Sequence, residues 1–493
     1  MSSPSLLYSG AQVRAIDAFA IAHGTDGYLL MRRAAEAALR ALRSRWPTAL
    51  RIGIVTGGGN NGGDGYVLAR FAQAAGLSVA VSAVSPPESL RGDALRAAEE
   101  FRASGGRILA YEAAQLAGVD VIVDALLGTG LQQPVRPAMA QAIAAINAGD
   151  RPVFALDLPS GLNADSGEVM GVAIRATCTI SFVALKTGLF LKDGPDYVGR
   201  LLFDDLEVSP PPEDSRFRPL LQRLGEGEIA RALPRRAREA NKGDFGRVLI
   251  VGGGPGMPGA MRLAGESCLR AGAGLVTVAT ARDNVTGIIA GRPELIVHAL
   301  EQAEALGPLL EAASVVAAGP GLGQSSWSES MFERILVCGK PLVLDADALN
   351  LLARSGRAAP TGSVLTPHPG EAGRLLGSDA DAVQADRMAA LRGLQRRHAG
   401  AVIVLKGAGT LVGADGEIPA ICERGNPAMA APGMGDVLTG LIAGILGQCR
   451  DPWRAACAGV MAHALAGDEL SRERNRGVLA LELAEALGYW VGR

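Results

Sequence analysis

The sequence predicts two successive α/β domains, each with a parallel sheet covered by helices on both faces. Short apolar runs of strand type alternate with helix-type stretches, and near-continuous apolar strands are those of a sheet buried on both sides. The alternation breaks once, at 209–215 (SPPPEDS). Consecutive prolines continue neither a central strand nor a helix, and the flanking charges favour water. At 493 residues the chain also exceeds one ordinary core, since domains run to about 100–200 residues. The expected domains are 1–212 and 222–493.

In the first half the strand candidates are 51–56, 78–84, 119–126, 152–157 and 177–185. Helix-type stretches lie at 65–75, 92–103 and 137–148, and residues from about 6 to 46 read as largely helical. The alternation restarts with strand candidates at 247–251, 275–280, 314–318, 341–344, 362–365 and 401–405. Helix candidates there are 260–270, 436–446, 453–470 and 480–490. No residue-level repeat relates the halves, so they are expected to be different α/β folds. The 65 glycines suit the many tight connections of such folds.

Charge excludes several classes. Lys and Arg total 48 against 50 for Asp and Glu, a net charge of −2, so no basic field invites nucleic acid or an anionic membrane. Residues 1–10 lack the charged start and apolar run of a secretory signal. No stretch of about 18 uninterrupted apolar residues predicts a membrane span. The six cysteines (Cys178, Cys268, Cys338, Cys422, Cys449, Cys457) contain no C-x-x-C pair, which fits reduced thiols better than a disulfide frame or a zinc site. The expectation is a cytoplasmic homo-oligomer with small-molecule ligands and neither nucleic acid nor membrane as partner.

Both halves carry G-x-G-x-x-G between a strand and a helix, at 57–62 (GGGNNG) and 254–259 (GPGMPG). That pattern suggests dinucleotide binding, yet each copy departs from a phosphate cradle. Asp64 follows the first, and a carboxylate at a helix start repels a pyrophosphate. Its plain alternative is a helix N-cap. Two prolines in the second remove backbone donors. No acidic residue closes the second strand to hold a ribose, and there is no Walker A sequence, so a dehydrogenase is disfavoured.

The run 57–65 (GGGNNGGDG) combines backbone freedom with amide and carboxylate side chains. Two further segments, 123–130 (VDALLGTG) and 156–161 (LDLPSG), each end an apolar strand in an aspartate followed by small residues. Ligands of open α/β sheets lie at the carboxyl ends of strands, so the three segments are expected to converge. Asp124, Asp157 and the amides can then hold an oxygen-liganded cation and a polar substrate. Singly, each aspartate is explained as a loop cap. Together the motifs resemble the NAD(P)H-hydrate epimerase family over about residues 6–208. The resemblance implies a Rossmann-like fold and a potassium ion on Asn61, Asp124 and Ser160. It places substrate at Asn60, Asn61, Gly62, Gly63 and Asp64, at Gly128, Thr129, Gly130, Leu131, Gln132, Gln133 and Pro134, and at Asp157. Exchanging R and S hydrates at C6 of the nicotinamide ring requires breaking and re-forming a bond at that carbon, with Asp157 as the expected catalytic proton carrier. Lys186 either faces this site or is a solvated surface lysine. Where the family reads L-M-E-x-A-G, this chain has Leu30-Met31-Arg32-Arg33-Ala34-Ala35, which bears on local packing or a subunit contact.

The most specific signal is 425–440 (GNPAMAAPGMGDVLTG). Gly433 and Gly435 precede an apolar helix expected to begin near Asp436. Free amides at a helix N-terminus form an anion hole suited to phosphoryl charge, and an aspartate there can accept a proton from a substrate hydroxyl. An N-cap on a buried helix is the plain alternative. The element resembles the ribokinase-like superfamily. Segments 241–246 (NKGDFG), 319–323 (GPGLG), 345–350 (DADALN), 366–371 (TPHPGE) and 406–410 (KGAGT) narrow the resemblance to ADP/ATP-dependent NAD(P)H-hydrate dehydratases, over about 222–490. It implies substrate contacts at Ala260, Gly323, His368 and the catalytic Asp436. The adenine nucleotide would lie on Lys406, Gly407, Ala408, Gly409, Thr410 and Gly435, with magnesium on its phosphates. The implied chemistry is phosphorylation of the C6 hydroxyl followed by loss of phosphate. His368 by itself reads as structural; the prolines on either side favour a ligand contact. Ala428 and Ala431 stand where the family more commonly has Gly and Thr or Ser.

Two rival readings remain at this level. A ribokinase-like vitamin-precursor kinase explains 433–436 but leaves 366–371 and the first half unexplained. An N-terminal non-catalytic binding module predicts loss of the cation and proton-transfer residues, whereas Asn61, Asp124, Asp157 and Ser160 are all present.

Overall fold

The computed structural model describes residues 5–211, 214–472, 474 and 476–492. Residues 1–4, 212, 213 and 493, which the expected domain limits and the proline break include, lie outside the described residues. The chain divides into two compact units, Met1–Leu221 and Gln222–Arg493.

The first unit is built on seven parallel strands in the spatial order Ile108–Ala110, Ser78–Ala83, Arg51–Thr56, Val121–Ala125, Val153–Leu156, Cys178–Phe182, Arg200–Asp204. Strand side chains alternate between faces. Ile52 and Ile54 pack with Ala38, Leu68 and Phe101 from helices Gly27–Arg45, Asn60–Ala74 and Gly92–Ala103. Val55 and Ile122 pack with Ile143 and Ile146 from helix Pro137–Asn147 on the other face. Strand order reverses between Arg51–Thr56 and Val121–Ala125, which opens a crevice at their carboxyl ends.

Helix Asn60–Ala74 begins earlier than the expected residue 65, inside the glycine run. The glycines serve close packing of that helix rather than loop freedom. A Cβ on Gly57 would lie 1.9 Å from the Leu126 carbonyl oxygen, one on Gly62 2.3 Å from that of Gly57, and one on Gly65 2.7 Å from the Ala125 Cβ. Gly59 is the N-cap, without a side-chain cap bond, so the N-cap reading of Asp64 fails: it sits within the helix. The expected strand 177–185 is also broken, because Val183 adopts φ +64. The chain turns there into Leu185–Lys186, which pairs with Leu6–Tyr8. Strands Ile108–Ala110 and Arg200–Asp204 escaped notice because they are edge strands, only partly buried.

In the second unit the order is Ile296–Ala299, Leu275–Thr280, Arg247–Val251, Val315–Ala318, Leu342–Leu344, Val364–Leu365, Val402–Leu405, Thr410–Gly413, Ala420–Cys422. The first seven are parallel. The last two pair antiparallel through a hairpin, so the sheet is mixed rather than wholly parallel. Order reverses again between Arg247–Val251 and Val315–Ala318, and there Gly253 and Gly254 donate to the carbonyls of Pro320 and Gly321 at 3.0 and 2.7 Å. Helix Met434–Cys449 is apolar around most of its circumference and therefore buried. It lies against helices Pro258–Arg270 and Pro452–Ser471 at backbone distance: a Cβ on Gly440 would stand 1.9 Å from the Ala264 oxygen. All six cysteines are unpaired. Among the described residues no helix is long and apolar enough to cross a membrane.

Candidate active sites

At the crevice of the first unit lies a cavity of about 940 Å³. Asn60, Asn61 and Asp64 line it from the helix start. Gly128, Thr129, Gly130, Leu131, Gln132, Gln133 and Pro134 line it from the segment after Val121–Ala125, and Asp157 from the end of Val153–Leu156. Gly62 and Gly63 do not line it, because their open sides are taken up by the Gly57 carbonyl and by Met31. Asp124 and Ser160 sit behind the wall, fully buried. Ser160 donates to both carboxylate oxygens of Asp124, from its hydroxyl at 2.6 Å and its backbone N–H at 2.8 Å. Asn61 donates from Nδ2 to the Leu127 oxygen at 3.0 Å. Its Oδ1 is buried and accepts nothing among the described residues. Burial pushes the Asp124 carboxyl up to about 6 despite these donors.

Asp157 takes a left-handed backbone conformation, φ +69, a strained state for a non-glycine residue of the kind found at functional sites. Its carboxylate meets the Lys186 ammonium, which also donates to the Ser181 hydroxyl at 3.1 Å and the Phe182 oxygen at 2.8 Å. The Lys186 side chain is only 1% exposed, which overturns the solvated-surface alternative. Asp64 is raised well above the usual carboxylate range by burial, then by Asp157 and Asp17. Asp17 shares the cavity and gave no signal in the sequence, since it lies within a helix without a motif.

In the second unit the helix N-terminus at Gly433, φ +87, carries Gly435 and Asp436 in its first turn. The helix starts at Met434, so Asp436 is not its cap and its carboxylate is free for other work. Lys406 Nζ stands 3.3 Å from where a Gly435 Cβ would be, and donates to Asp345 Oδ1 at 2.6 Å. Asp345 Oδ2 accepts from the Thr439 hydroxyl at 2.7 Å, tying the lysine to the helix. Glu371 Oε2 lies 3.8 Å from the same ammonium. Burial alone would lower Lys406, but Asp345 and Glu371 outweigh it and raise it, keeping the ammonium charged. Burial, then Asp345, lifts Asp436 to about 6.

Lys406, Gly407, Ala408 and Gly409 form the turn of the hairpin between Val402–Leu405 and Thr410–Gly413. Beneath it Arg387, 8% exposed, donates to the carbonyls of Leu405, Lys406 and Gly409 at 3.1, 3.2 and 3.2 Å. Ala260 adjoins the switch-point loop, 3.3 Å from a Cβ placed on Gly321. In that loop Gly323 donates to Asp347 Oδ2 at 2.8 Å. His368 caps its own helix: Nδ1 accepts from Gly370 N at 3.0 Å, and the ring is 49% exposed. It therefore has a structural task, and its Nε2 lies 3.2 Å from the Glu371 Oε1. Asp345 and Glu371 were inside recognised motifs without being singled out. Asp345 repeats the strand-end aspartate pattern used for the first unit and was findable on that ground. Arg387 had no local signal.

The NAD(P)H-hydrate dehydratase family matches residues 248–488, and the YjeF-related protein N-terminus family matches residues 27–188. The bifunctional NAD(P)H-hydrate repair enzyme Nnr of Coxiella burnetii is 46% identical over 97% of this chain and 98% of its own. That of Escherichia coli is 44% identical over 94% and 89%. Two solved structures resemble part of the chain at 30% identity. A ribokinase-like superfamily protein of Enterococcus faecalis has TM-score 0.50 and covers 55% of this chain and 94% of its own. A hypothetical protein of Streptococcus mutans has TM-score 0.52, with coverage of 55% and 98%. Likeness at this level along nearly the whole length shows that the chain belongs to the family of bifunctional NAD(P)H-hydrate repair enzymes.

Proposed function

We propose that the chain restores hydrated NADH and NADPH, residues 1–212 epimerising the R and S hydrates at C6 and residues 222–493 dehydrating the S hydrate at the expense of ADP or ATP. The observation that carries this most directly is the meeting of Asp436, Lys406 and the amides of a helix N-terminus.

In the second unit Asp436, as carboxylate, takes the proton of the C6 hydroxyl as its oxygen attacks the terminal phosphoryl group. The helix amides at Gly435 and the Lys406 ammonium hold the negative charge that develops. Gly407, Ala408, Gly409 and Thr410 bind the adenine nucleotide. Ala260, Gly323 and His368 hold the hydrated ring and its ribose side. The C6–O bond then breaks toward phosphate and a C5 proton leaves, restoring the double bond. Magnesium bound with the nucleotide would neutralise charge on its phosphates.

In the first unit the substrate occupies the cavity along Asn60–Asp64, Gly128–Pro134 and Asp157. The residues suit a potassium ion: the orphaned Asn61 Oδ1 and the buried Asp124 carboxylate are oxygen acceptors in want of positive charge, with Ser160 beside them. When bound, the ion would supply fixed positive charge at the crevice. Asn61, Asp124 and Ser160 hold their own geometry through the hydrogen bonds given above, and Asp157, oriented by Lys186, moves the proton. Six unpaired thiols fit a reducing cytoplasm, where we place the enzyme as a homo-oligomer.

The test mixes R and S NADPH hydrates with magnesium and ADP and follows the return of reduced-nicotinamide absorbance. Full ADP-dependent recovery, faster than spontaneous epimer exchange, is the expected result. Recovery halting at the S fraction would leave only the dehydratase. A stable phosphorylated product without recovery would point instead to a small-heterocycle kinase using the same 433–436 element.

A further inference from the structure

The first unit's cavity has a wall that precedes the matched family segment, which begins at residue 27. Helix Gly10–Ala22 is set by a capping box: Ser9 Oγ accepts from Gln12 N at 3.1 Å and Gln12 Oε1 accepts from Ser9 N at 3.0 Å. Gly10 N donates to Asp165 Oδ1 at 2.6 Å. Arg14 Nη1 donates to the Thr129 oxygen at 2.7 Å, which fastens the helix to the 128–134 segment. Asp17, three residues further and on the same helix face, lines the cavity together with Asp64, Asp157 and Lys186. No hydrogen bond among the described residues engages the Asp17 carboxyl, whereas Asp157 is held by Lys186.

We propose that Asp17 is a second proton-transferring residue of the epimerisation site, complementing Asp157. This rests on the epimerase reading of the first unit. Inverting C6 through its C–O bond sends that bond's electron pair out with oxygen while the ring nitrogen's lone pair fills the carbon. The departing hydroxyl leaves as water only if it receives a proton. A water then adds to the opposite face and gives a proton back, so protons and electrons balance with no outside reagent. Such a step needs a group that starts and ends protonated. Asp157, paired with the Lys186 ammonium, takes the proton of the water that adds and hands it back to Asp17 as the cycle closes. Asp17 lacks such a partner, and burial, outweighing Lys186, raises its carboxyl to about 6, where it exchanges a proton readily near neutral pH. The charged groups around the same cavity are Asp64, Asp93 and Asp157, with Lys186, Arg14 and Arg136 as cations.

The experiment measures R-to-S exchange in the full-length chain for D17N and D17E, using ADP-dependent dehydration of pure S hydrate in the same samples as the internal control. D17N should lower exchange about 100-fold while dehydration stays unchanged, and D17E should recover most of the loss. In the parent, exchange should fall as pH rises through the titration of Asp17, and D17N should lose that limb. Exchange by D17N within twofold of the parent, or an unaltered pH limb, overturns the assignment. A parent chain that does not exceed the spontaneous exchange rate overturns the epimerase reading itself, and with it this role.

Discussion

Each unit pairs a lysine with an aspartate, and the two pairs differ in what the lysine has left to give. Lys186 is 1% exposed and spends its donors on Asp157, Ser181 and the Phe182 carbonyl. An ammonium has three donors, so Lys186 is saturated by the protein. Lys406, 19% exposed, has one hydrogen bond among the described residues, to Asp345, and stands beside the Gly435 amide. The first lysine is a fixed counter-charge that orients a carboxylate; the second is an ammonium with capacity for an incoming phosphate. The comparison teaches that the same residue pairing leaves a lysine either saturated or with donors to spare, according to what the fold packs around its ammonium.

The largest effect expected concerns the base that only the second unit offers at a helix start. Asp436→Asn should cut ADP-dependent dehydration by about 10²–10⁴-fold and leave epimer exchange intact. On the proposal that Asp436 acts as the ionised base, the parent's dehydration rate should rise with pH through about 6. A D436N enzyme retaining more than a tenth of the activity would remove it from catalysis.

Exchanging the two lysines for methionine sharpens the contrast itself. Lys186→Met strands Asp157 and should cost the first unit about 3 kcal/mol in urea unfolding, with the KM for ADP unmoved. Lys406→Met should raise that KM about tenfold or more. If K186M altered ADP binding, or K406M left it unchanged, the distinction drawn here would fail.

Arg387→Met probes the support beneath the 406–410 turn. Three carbonyls lose their buried donor, so a loss of about 1–3 kcal/mol is expected, together with a few-fold rise in the KM for ADP at nearly constant kcat. Titration calorimetry with ADP separates the affinity change from chemistry.

The smallest effect lies away from both sites. His398 is fully buried, with Nδ1 accepting from Ala359 N at 3.1 Å, and burial lowers it to about 4. A histidine held neutral stabilises the fold above its unfolded pKa of about 6.5, and that contribution fades as pH falls toward the folded value. The parent should therefore lose about 1–2 kcal/mol from this residue between pH 7 and 5. Comparing denaturation midpoints of parent and His398→Gln at both pH values measures it, and identical slopes would refute it.

Much of the site was legible before any fold was known. Asp124, Asp157, Ser160, Lys406 and Asp436 sit in short motifs whose residue types declare their chemistry: strand-end aspartates, glycines before an apolar helix, a lysine after a strand. Local patterning also gave the strand-and-helix alternation, because burial on both faces of a sheet leaves runs of apolar residues. The boundaries of the glycine elements were not legible. Whether a glycine run is a loop or a packed helix start depends on what approaches it, and here that is Leu126, Met31 and Ala264, residues remote in the chain.

The sequence by itself determined the two α/β units, the family, and the identity of the groups able to carry protons and phosphoryl charge. Only the tertiary structure decided that Lys186 is buried against Asp157, that Asp345 and Thr439 anchor Lys406, that Arg387 braces the 406–410 turn, and that Asp17 enters the cavity from a helix with no motif. The reason is physical. Residue type fixes which charges and donors exist, but their pKa values and partners follow from desolvation and proximity between segments that meet only when the chain is folded.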